Sequence, residues 1–496
     1  MFVKGSSHCG DWVNLPETAT YDAGFSFRNG SGDSPTLPVF YRVDSARAYH
    51  SSKIFFQSST PEMITKPTDL PPDFSSASLL AEANRCVACG LCLPHCPTYR
   101  ITLSEADSPR GRISLISGVA SGRIPMNARF ALHIDRCLTC RACEAVCPNH
   151  VAYGHLVDGA RAIMTKLSSA PPGQDAGIQK SALRVLAEKE FIAKPARFDA
   201  LRPLLRLYQT SGLQAWVRKS RVLGKTKLAV LEAQLPLIGA PCSTSNKTAT
   251  SWQTIYPASG NARGEVGLFL GCVARLADVT TLNAAIFVLN RLGYTVHVPP
   301  AQTCCGALHR HGGDLHTAAQ LARENAAAFA GLNLHAIIST ASGCGVQLAE
   351  APLDFSAKVV DISAFLQKAA GWSDVKISPL PHKIIVHEPC SLRNVLRGAA
   401  HPYALLARIP GARIAPLAGN DQCCGAAGTY FLDQPEMAKA LLDNKMIAVN
   451  ESEGHYLATA NIGCALHLAS ALRQAGSKIE VLHPVTLLAR RMGMPA

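Results

Sequence analysis

Two short stretches of the chain each place four cysteines within eleven residues and close with a proline. The first is CVACGLCLPHCP, residues 86–97, and the second is CLTCRACEAVCP, residues 137–148. Both have the spacing Cys-x2-Cys-x2-Cys-x3-Cys-Pro. Thiols spaced in this way converge on one side of a tight loop, which is the geometry that holds an iron–sulfur cube. This feature constrains the fold most strongly, because the chain must wrap two metal centres.

Disulfides and zinc are the alternatives for so many thiols. The 18 cysteines are under four per cent of the 496 residues, well below the density of a disulfide scaffold. The N-terminal sequence MFVKGSSHCGDWVNLPE lacks the apolar segment of a secretory signal, so a reducing, cytoplasmic location is expected. Zinc ribbons use Cys-x2-Cys pairs, not two four-cysteine runs that each end in proline. We therefore predict two [4Fe–4S] clusters.

The fourth thiolate of each cluster is predicted to come from the other run, as in two-cluster ferredoxins. The first cluster is assigned to Cys86, Cys89, Cys92 and Cys147. The second is assigned to Cys137, Cys140, Cys143 and Cys96. Between the runs, SPRGRIS is expected to place Arg110 and Arg112 just before a helix, where they are candidates for neutralising cluster charge or binding a partner. Cys9 and Cys242 are predicted to bind no metal.

Length and charge set broad limits on the chain. A chain of 496 residues predicts two or three domains, and no stretch approaches the ~18 continuous apolar residues that would cross a membrane. The formal net charge is +13, from which two cubes with their thiolates would remove about four charges. Residues 161–240 hold 14 Lys or Arg against 5 Asp or Glu. This excess favours contact with an acidic partner or with the cytoplasmic face of the inner membrane, a solvated helical face being the alternative. No motif suggests nucleic acid.

Composition and periodicity divide the chain into five segments. Residues 1–75, rich in Ser, Pro, Gly and Thr, are predicted to be a disordered tail, and Met63 is an alternative start that would make residues 1–62 dispensable. Residues 76–165 hold both cysteine runs, and their helical stretches favour an α-helical ferredoxin-type domain. Residues 166–264 are predicted to be a basic helical region and a linker. Residues 265–378 and 379–496 form two copies of a repeat.

The repeat is defined by cysteines at matched positions. In each copy a strand ends in cysteine, a Cys-Cys-Gly turn follows, and a later strand ends in another cysteine. The offsets between matched cysteines are 118, 119, 119 and 120 residues, which indicates duplication. The cysteines are Cys272, Cys304, Cys305 and Cys344 in the first copy and Cys390, Cys423, Cys424 and Cys464 in the second.

Strands alternate with helices in each copy, which predicts an α/β fold with parallel sheets and ligands beyond the carboxyl ends of the strands. The thiols of each copy are therefore predicted to gather at one rim and to bind metal, either a further iron–sulfur cluster or zinc. Redox-active thiols and buried structural cysteines are the alternatives.

Glycines and a histidine accompany these cysteines. Gly306 and Gly425 are expected to let the backbone bend tightly beside the metal, and the same is expected of the glycines around the last cysteine, namely Gly343, Gly345 and Gly463. His467, three residues after Cys464, is a further candidate ligand, and Gln347 holds the equivalent place in the first copy.

Taken together, these motifs resemble those of the glycolate oxidase iron–sulfur subunit family. The resemblance covers roughly residues 80–490 and is carried by CVACGLCLPHCPTYR, SPRGRI, DRCLTCRACEAVCP, TASGCG, CCGAAGTY, LDNKM and TANIGCALHLAS. Relatives of that family include subunits of anaerobic glycerol-3-phosphate dehydrogenase, lactate-utilisation complexes and heterodisulfide reductase.

The resemblance implies an electron-transfer subunit with FAD-containing dehydrogenase partners that oxidise a 2-hydroxy acid, and with quinone or another acceptor downstream. No residue is assigned a catalytic role, and the sequence has no dinucleotide, P-loop or HExxH motif. D-Lactate or glycerol-3-phosphate as the donor is an alternative, and so is a thiol enzyme like heterodisulfide reductase. In that reductase a closing Cys-x-x-Cys helps to bind a non-cubane cluster, whereas Gln347 and His467 stand at the final position here.

Overall fold

The computed structural model describes residues 74–168, 186–224, 226–242 and 251–495. All of them belong to one unit, Pro67–Ala496. The predicted disordered tail lies outside the described residues except for its last two positions, and so do Cys9 and Met63.

The segment that holds both cysteine runs is helical, and its described part, residues 74–168, contains no strand. Ser75 caps the first helix by accepting a hydrogen bond from the backbone N–H of Ser78 at 3.2 Å. Four of the helices enclose a core that includes Leu79, Ile116 and Phe130. The prediction of a helical ferredoxin-type domain is thus confirmed. The helices are α1 (Ser76–Ala83), α2 (Pro97–Thr102), α3 (Pro109–Ala120), α4 (Ala128–Asp135), α5 (Ala142–Ala145) and α6 (Tyr153–Ser168), with a 3-10 turn at Glu105–Asp107.

The basic region is also helical in its described part. The elements are a π-helical turn (Glu188–Ile192), α7 (Ala196–Thr210), α8 (Leu213–Ser220) and α9 (Lys227–Gln234). Helices α7 and α8 are separated at Gly212, whose φ of +79° is left-handed. Not all of its cations face solvent, because Arg202 is buried.

The first repeat folds around a mostly parallel sheet. Its strands are β1 (Ile255–Tyr256), β2 (Gly264–Phe269), β3 (Tyr294–His297), β4 (Ala336–Ser339) and β5 (Val359–Asp361). Their order is β1-β3-β2-β4-β5, and only the β1–β3 pair is antiparallel. Strand β1 falls inside the predicted linker, so the end of that linker belongs to the sheet.

The second repeat has the same topology without the extra strand. Its strands β6 (Lys383–His387), β7 (Arg413–Pro416), β8 (Tyr456–Thr459) and β9 (Glu480–Leu482) lie in the order β7-β6-β8-β9, and all pairs are parallel. This order matches β3-β2-β4-β5 of the first repeat. The predictions of a duplication and of parallel sheets are confirmed.

Helices cover both sheets and join them. In the first repeat they are α10 (Val273–Ala277), α11 (Val279–Arg291), α12 (Ala307–His311), α13 (Leu315–Phe329), α14 (Ser342–Ala349) and α15 (Ile362–Lys368), with 3-10 turns at Asp354–Lys358 and Trp372–Asp374. In the second they are a π-helical turn (Ser391–Val395), α16 (Ala400–Leu406), α17 (Tyr430–Asp433), α18 (Pro435–Glu451), α19 (Ile462–Gln474) and α20 (Pro484–Arg491). Helix α20 packs on α11, where the hydroxyls of Thr281 and Thr486 lie 3.2 Å apart, and one hydrophobic core runs through both repeats.

The helical domain docks on the first repeat through α6. The buried carboxylate of Asp158 accepts hydrogen bonds from Arg310 Nε at 2.7 Å and pairs with His311 Nδ1 at 3.2 Å. Next to this pair, Gly313 approaches the backbone of Arg161 so closely that a Cβ atom there would lie 2.4 Å from the Arg161 carbonyl oxygen. The described residues contain no helix that is both long and apolar enough to cross a membrane.

We predict that Gly313→Ala lowers the unfolding temperature more than Gly331→Ala. Both glycines have positive φ, +85° and +75°, so each substitution adds strain of about 1 kcal/mol. Only at Gly313 does the added Cβ meet backbone, because nothing lies within 4 Å of the equivalent position at Gly331. Thermal unfolding followed by circular dichroism measures the difference, and equal shifts would contradict the docking contact.

Candidate metal centres

The two cysteine runs adopt the same backbone shape. In the first, Ala88 and Gly90 have positive φ values of 54° and 83°; in the second, Thr139 and Arg141 have 51° and 56°. These residues stand two and four positions after the first cysteine of each run. Left-handed backbone costs about 1–2 kcal/mol at a non-glycine residue such as Ala88, Thr139 or Arg141. The same strained conformation in both loops indicates that their shape serves a function.

The first group of thiols lies at the surface. A small cavity is lined by Cys86, Cys89, Cys92 and Cys147. Cys89 is exposed, and the other three are partly buried. Arg110 closes one side, since its Nη1 donates to the carbonyl oxygen of Ala88 at 3.1 Å. Cys147 of the second run therefore shares this cavity with the three cysteines of the first, as does Cys143, and the assignment of Cys147 as the fourth ligand stays a prediction.

The second group of thiols lies deeper. Cys96, Cys137 and Cys143 are buried, and Cys140 is partly buried. Burial raises the pKa of the Cys143 thiol well above its usual value, and the nearby thiols of Cys140, Cys137 and Cys96 raise it further. Cys96 of the first run thus lies with the second run. Tyr153 stands between the two groups: it lines the first cavity and donates from its hydroxyl to Cys137 Sγ at 3.7 Å.

A buried cation lies beside the second group. Arg112 is 1% exposed, and its Nη1 is 4.0 Å from Cys96 Sγ and 3.1 Å from Thr98 Oγ1. Its Nε donates to the carbonyl oxygen of His133 at 2.6 Å. The fully buried Asp107 pairs with Arg112, with His133 and with Arg136. The expectation that Arg110 and Arg112 precede a helix is wrong by one turn, because both lie in the first turn of α3. The position of Arg112 favours the neutralisation of cluster charge.

In each repeat the four cysteines lie close to the carboxyl ends of the strands. Cys272 and Cys390 stand three residues after β2 and β6, while Cys344 and Cys464 lie in the first turns of α14 and α19. The Sγ atoms of Cys272 and Cys304 are 3.5 Å apart. Helix N-termini carry partial positive charge, which favours thiolates at the last cysteine of each copy.

The Cys-Cys-Gly turns confirm the expected glycine conformation. Gly306 and Gly425 have φ values of +89° and +87°, and their N–H groups point at the Sγ atoms of Cys304 and Cys423 at 3.4 and 3.5 Å. Such N–H···S hydrogen bonds stabilise thiolate ligands. The expectation for the other three glycines is wrong. Gly343, Gly345 and Gly463 begin ordinary helices and do not have positive φ.

The thiols of both repeats face one shared cavity of about 990 Å³. Sequence reasoning placed one rim in each copy and gave no reason for the two rims to meet. Helix α9 borders the same cavity through Lys227, Leu231 and Gln234. The repeat cysteines that line the cavity are Cys272, Cys304, Cys305, Cys344, Cys390, Cys423, Cys424 and Cys464. Cys242 lines neither of these two cavities.

The second thiol group of the helical domain abuts the second repeat. Cys140 and Cys390 pack against a cluster that contains Cys423 and Tyr430. Asn394 Nδ2 donates to the carbonyl oxygen of Cys140 at 2.9 Å. The hydroxyl of Tyr430 in the second repeat donates to the carbonyl oxygen of Arg136 in the helical domain, also at 2.9 Å. The four-thiol groups therefore follow one another from the surface into the shared cavity.

One residue that sequence reasoning missed is His387, which precedes Cys390 by three positions and lies close to Cys424 and Cys464. Burial lowers the pKa of His387 to about 3, so its imidazole is neutral near neutral pH. The short His-x-x-Cys spacing was the available signal. The histidine chosen from sequence, His467, instead faces Gln234, with 3.4 Å between its Nδ1 and the amide nitrogen.

These donor sets fit iron–sulfur clusters. Each group of the helical domain supplies four thiols from loops of matched shape, and the deeper group has a buried cation to offset the negative charge of a thiolate-bound cluster. The repeats supply further thiols with N–H donors and helix N-termini around them.

Serine substitutions within one thiol group should remove the same cluster, whereas substitutions in both groups should remove both clusters. Cys89→Ser and Cys147→Ser should each lose the same cluster, about four of the roughly eight iron atoms in two cubes, and the double variant should lose no more. Combining Cys89→Ser with Cys96→Ser should remove both clusters. Iron analysis and electron paramagnetic resonance after anaerobic purification measure this, with Cys242→Ser as the unchanged control. Additive losses from Cys89→Ser and Cys147→Ser would contradict the cross-ligation.

Comparison with known proteins identifies the same parts. The family described as 4Fe-4S dicluster domain matches residues 82–151, and the family described as cysteine-rich domain matches residues 266–349 and 384–469. The family described as the linker region of the glycolate oxidase iron–sulfur subunit matches residues 179–235. The dicluster match confirms the prediction of two [4Fe–4S] clusters.

Two relatives align over most of this chain and over most of their own length. A "probable glycolate oxidase iron-sulfur subunit" of Bacillus subtilis is 35% identical over 431 residues, which cover 83% of this chain and 94% of the relative. The glycolate oxidase iron–sulfur subunit of Escherichia coli is 30% identical over 411 residues, 78% of this chain and 90% of the relative. Lactate utilization protein A of Geobacillus thermodenitrificans is 27% identical over 240 residues, 46% of this chain and 99% of the relative. The chain therefore belongs to the family of glycolate oxidase iron–sulfur subunits.

Proposed function

We propose that this chain is the electron-transfer subunit of a flavin-dependent complex that oxidises glycolate to glyoxylate and delivers the electrons toward quinone. The observation that carries the proposal is the succession of thiol groups from the exposed Cys89 to the cavity between the repeats. The names of two relatives that align over nearly their whole length support glycolate as the donor. Oxidation of the acid itself is assigned to the FAD-containing partner.

The first thiol group is suited to receive electrons from that partner. Cys89 is exposed, and the neighbouring side chains of Val87 and Leu91 are also exposed. An apolar rim around a surface redox site fits a docking protein, because apolar contacts exclude water from the interface. Iron–sulfur clusters supply one-electron transfer at such sites.

The residues behind this surface lead inward. Tyr153 lies between the two thiol groups of the helical domain, and Cys140 packs beside Cys390 and Cys423 of the second repeat. Arg112 and Arg161 stabilise the second group: Arg112 lies beside Cys96, and Arg161 donates to the carbonyl oxygen of Cys137 at 2.7 Å. These buried guanidinium groups hold the loop rigid and offset negative charge.

The acceptor is proposed to reach the cavity from the side of α9. Leu231 of this helix and Leu235, the residue just after its end, line the cavity, and Leu231 is also exposed to solvent. The cavity walls are largely apolar apart from the thiols. A volume of about 990 Å³ suits a quinone headgroup and the start of its chain, even with metal groups occupying part of the space.

The outer surface of α7, α8 and α9, here called the apolar layer, is proposed to rest on the membrane. Pairs of exposed apolar side chains with i, i+3 spacing occur on each of the three helices. Lys219, Arg221 and Lys227 border them and form no ion pair among the described residues. Exposed leucine and tryptophan with bordering cations are typical of interfacial helices on anionic lipid. The pairs are Leu204 and Leu207, Leu213 and Trp216, and Leu228 and Leu231.

A second donor is favoured by one observation. The lactate utilization protein A of Geobacillus thermodenitrificans aligns over 99% of its length, but it covers only 46% of this chain. The same relay with D-lactate as the donor is therefore the second candidate.

Cys86→Ser and Cys137→Ser should each stop quinone reduction by the assembled complex while glycolate still reduces the flavin of the partner. The reason is that each substitution removes one thiol from a separate group on the proposed path. We expect a loss of at least about a hundredfold in quinone reduction, because a missing carrier leaves a gap in a chain of short transfers. Stopped-flow spectroscopy separates flavin reduction from quinone reduction, and Cys242→Ser serves as the control. Wild-type quinone reduction by both variants would refute the relay.

Leu207→Asp combined with Trp216→Asp should weaken binding to anionic vesicles by at least about tenfold, since burial of each such side chain contributes about 1.5–3 kcal/mol. Ile447→Asp is the matched control, because Ile447 is 57% exposed but lies on α18, outside the apolar layer. Co-sedimentation with phosphatidylglycerol vesicles measures the binding. Equal binding by the double variant and the wild-type protein would exclude the apolar layer as the membrane contact.

A further inference from the structure

We propose that His387 is a metal ligand, and that it forms with Cys424 and Cys464 a mixed imidazole–thiolate centre in the second repeat. One ligand atom from each of these three buried residues lies within 4.8 Å of the others. Ligands around a single transition-metal ion stand about 2.0–2.3 Å from it, so small side-chain movements bring this set to bonding distance. The occupant is a thiophilic transition-metal group, either an iron–sulfur cluster or a zinc ion.

Three separate elements bring the ligands together. His387 is the last residue of β6, Cys424 belongs to the Cys-Cys-Gly turn, and Cys464 lies in the first turn of α19. All three positions are fixed by the parallel sheet, because the carboxyl ends of its strands meet at one edge.

A neighbouring strand orients the imidazole. His387 is directly opposite Thr459 in the register of β6 and β8, and its Nδ1 lies 2.9 Å from Thr459 Oγ1. Histidine ligands usually bind metal through one nitrogen while the other forms a hydrogen bond that fixes the ring. The arrangement therefore assigns Nε2 as the ligand atom and Thr459 as a positioning residue.

The first repeat lacks this imidazole. Phe269 takes the equivalent place at the end of β2, opposite Ser339 in the matching strand register. A phenyl ring has no donor atom, so the first repeat offers thiols alone, with Cys272 and Cys304 in contact. The duplication has thus produced two centres of different chemistry.

The surroundings of the second centre differ in charge as well. The buried Lys445 donates through Nζ to the carbonyl oxygen of Gly419 at 2.5 Å. Its counterpart in the first repeat is Asn325, which binds the carbonyl oxygen of Cys304 instead. A neutral imidazole ligand brings no negative charge to a centre, and together with a buried cation it makes the centre easier to reduce, as His ligation does in Rieske clusters. The second repeat, which Cys140 contacts, is then the more oxidising of the two.

The test compares metal content and ligation in the full-length chain purified anaerobically. His387→Gln keeps a group that can hydrogen-bond Thr459, and His387→Cys restores a ligand as a thiolate. Cys424→Ser combined with Cys464→Ser sets the metal content of an empty second repeat. His483→Asn is the matched control, because His483 is a buried histidine of the same repeat that caps α20 by accepting from the Val485 N–H, a role that asparagine can keep.

Iron and zinc per chain are measured by mass spectrometry. Nitrogen ligation is measured by pulsed electron paramagnetic resonance with 15N-labelled histidine if the metal is iron, and by X-ray absorption if it is zinc. We expect the wild-type protein to hold metal beyond the roughly eight iron atoms of two cubes, with one histidine nitrogen bound. His387→Gln should fall to the level of the double serine variant, His387→Cys should keep the metal without the nitrogen signal, and His483→Asn should match the wild-type protein.

A histidine that only fills the core gives a different result. If the wild-type protein holds no metal beyond the two cubes, or if its extra metal has no histidine ligand, the proposal is overturned. Wild-type metal content and ligation in His387→Gln would overturn it equally. None of these readouts depends on glycolate or on quinone. A failure of this inference can therefore be distinguished from a failure of the proposed function.

Discussion

The predicted exchange of the fourth thiol between the two cysteine runs is the constraint on which the proposed metal binding of the helical domain depends. Cys147 lies with the first run and Cys96 with the second, so neither group of four is complete unless both loops are in place. Metal binding to such a pair is coupled to folding of the whole domain. Strained left-handed residues in both loops, among them Arg141, are tolerated because the surrounding helices and the bound metal fix the loop.

Charge is the second requirement of a chain that gathers so many thiols. Clusters bound by thiolates are anionic, and burial, followed by the nearby thiols, raises the pKa of Cys140 and of Cys143. Buried cations beside the thiols offset this negative charge. Helix N-termini and the N–H groups of the Cys-Cys-Gly turns near the sulfur atoms offset it further. Arg112 serves the deeper group of the helical domain, and Lys445 serves the second repeat. The result is a succession of thiol groups that leads from the exposed Cys89 to one largely apolar cavity.

Sequence reasoning was most successful where spacing along the chain determines the structure. The two cysteine runs, the duplication and the parallel sheets follow from local spacing and from a fixed period, and all were predicted. The shared cavity was not predicted, because it depends on the packing of one repeat against the other and no sequence period records it. His387 was missed for a related reason: the strand that carries it reads as an ordinary apolar strand, and its role follows from Cys424 and Cys464, which are distant in sequence.

Counts of charge were also incomplete as a guide. The excess of Lys and Arg in residues 161–240 includes Arg161 and Arg202, which are buried and bind backbone carbonyl groups. Among the described residues, Lys219, Arg221 and Lys227 are exposed on the helices that carry the exposed leucine and tryptophan side chains or just beyond their ends. Composition alone cannot reveal this combination. Helix α9 of the basic region carries part of it and also lines the shared cavity.

The central claim is that this chain receives electrons derived from glycolate. The most direct measurement adds glycolate, D-lactate or glycerol-3-phosphate to the complex purified anaerobically with its flavoprotein, and follows the visible absorbance of the iron–sulfur clusters. Rapid bleaching by glycolate alone is the predicted result. Intact clusters and a bound flavoprotein that show no bleaching with any of the three acids would contradict the account.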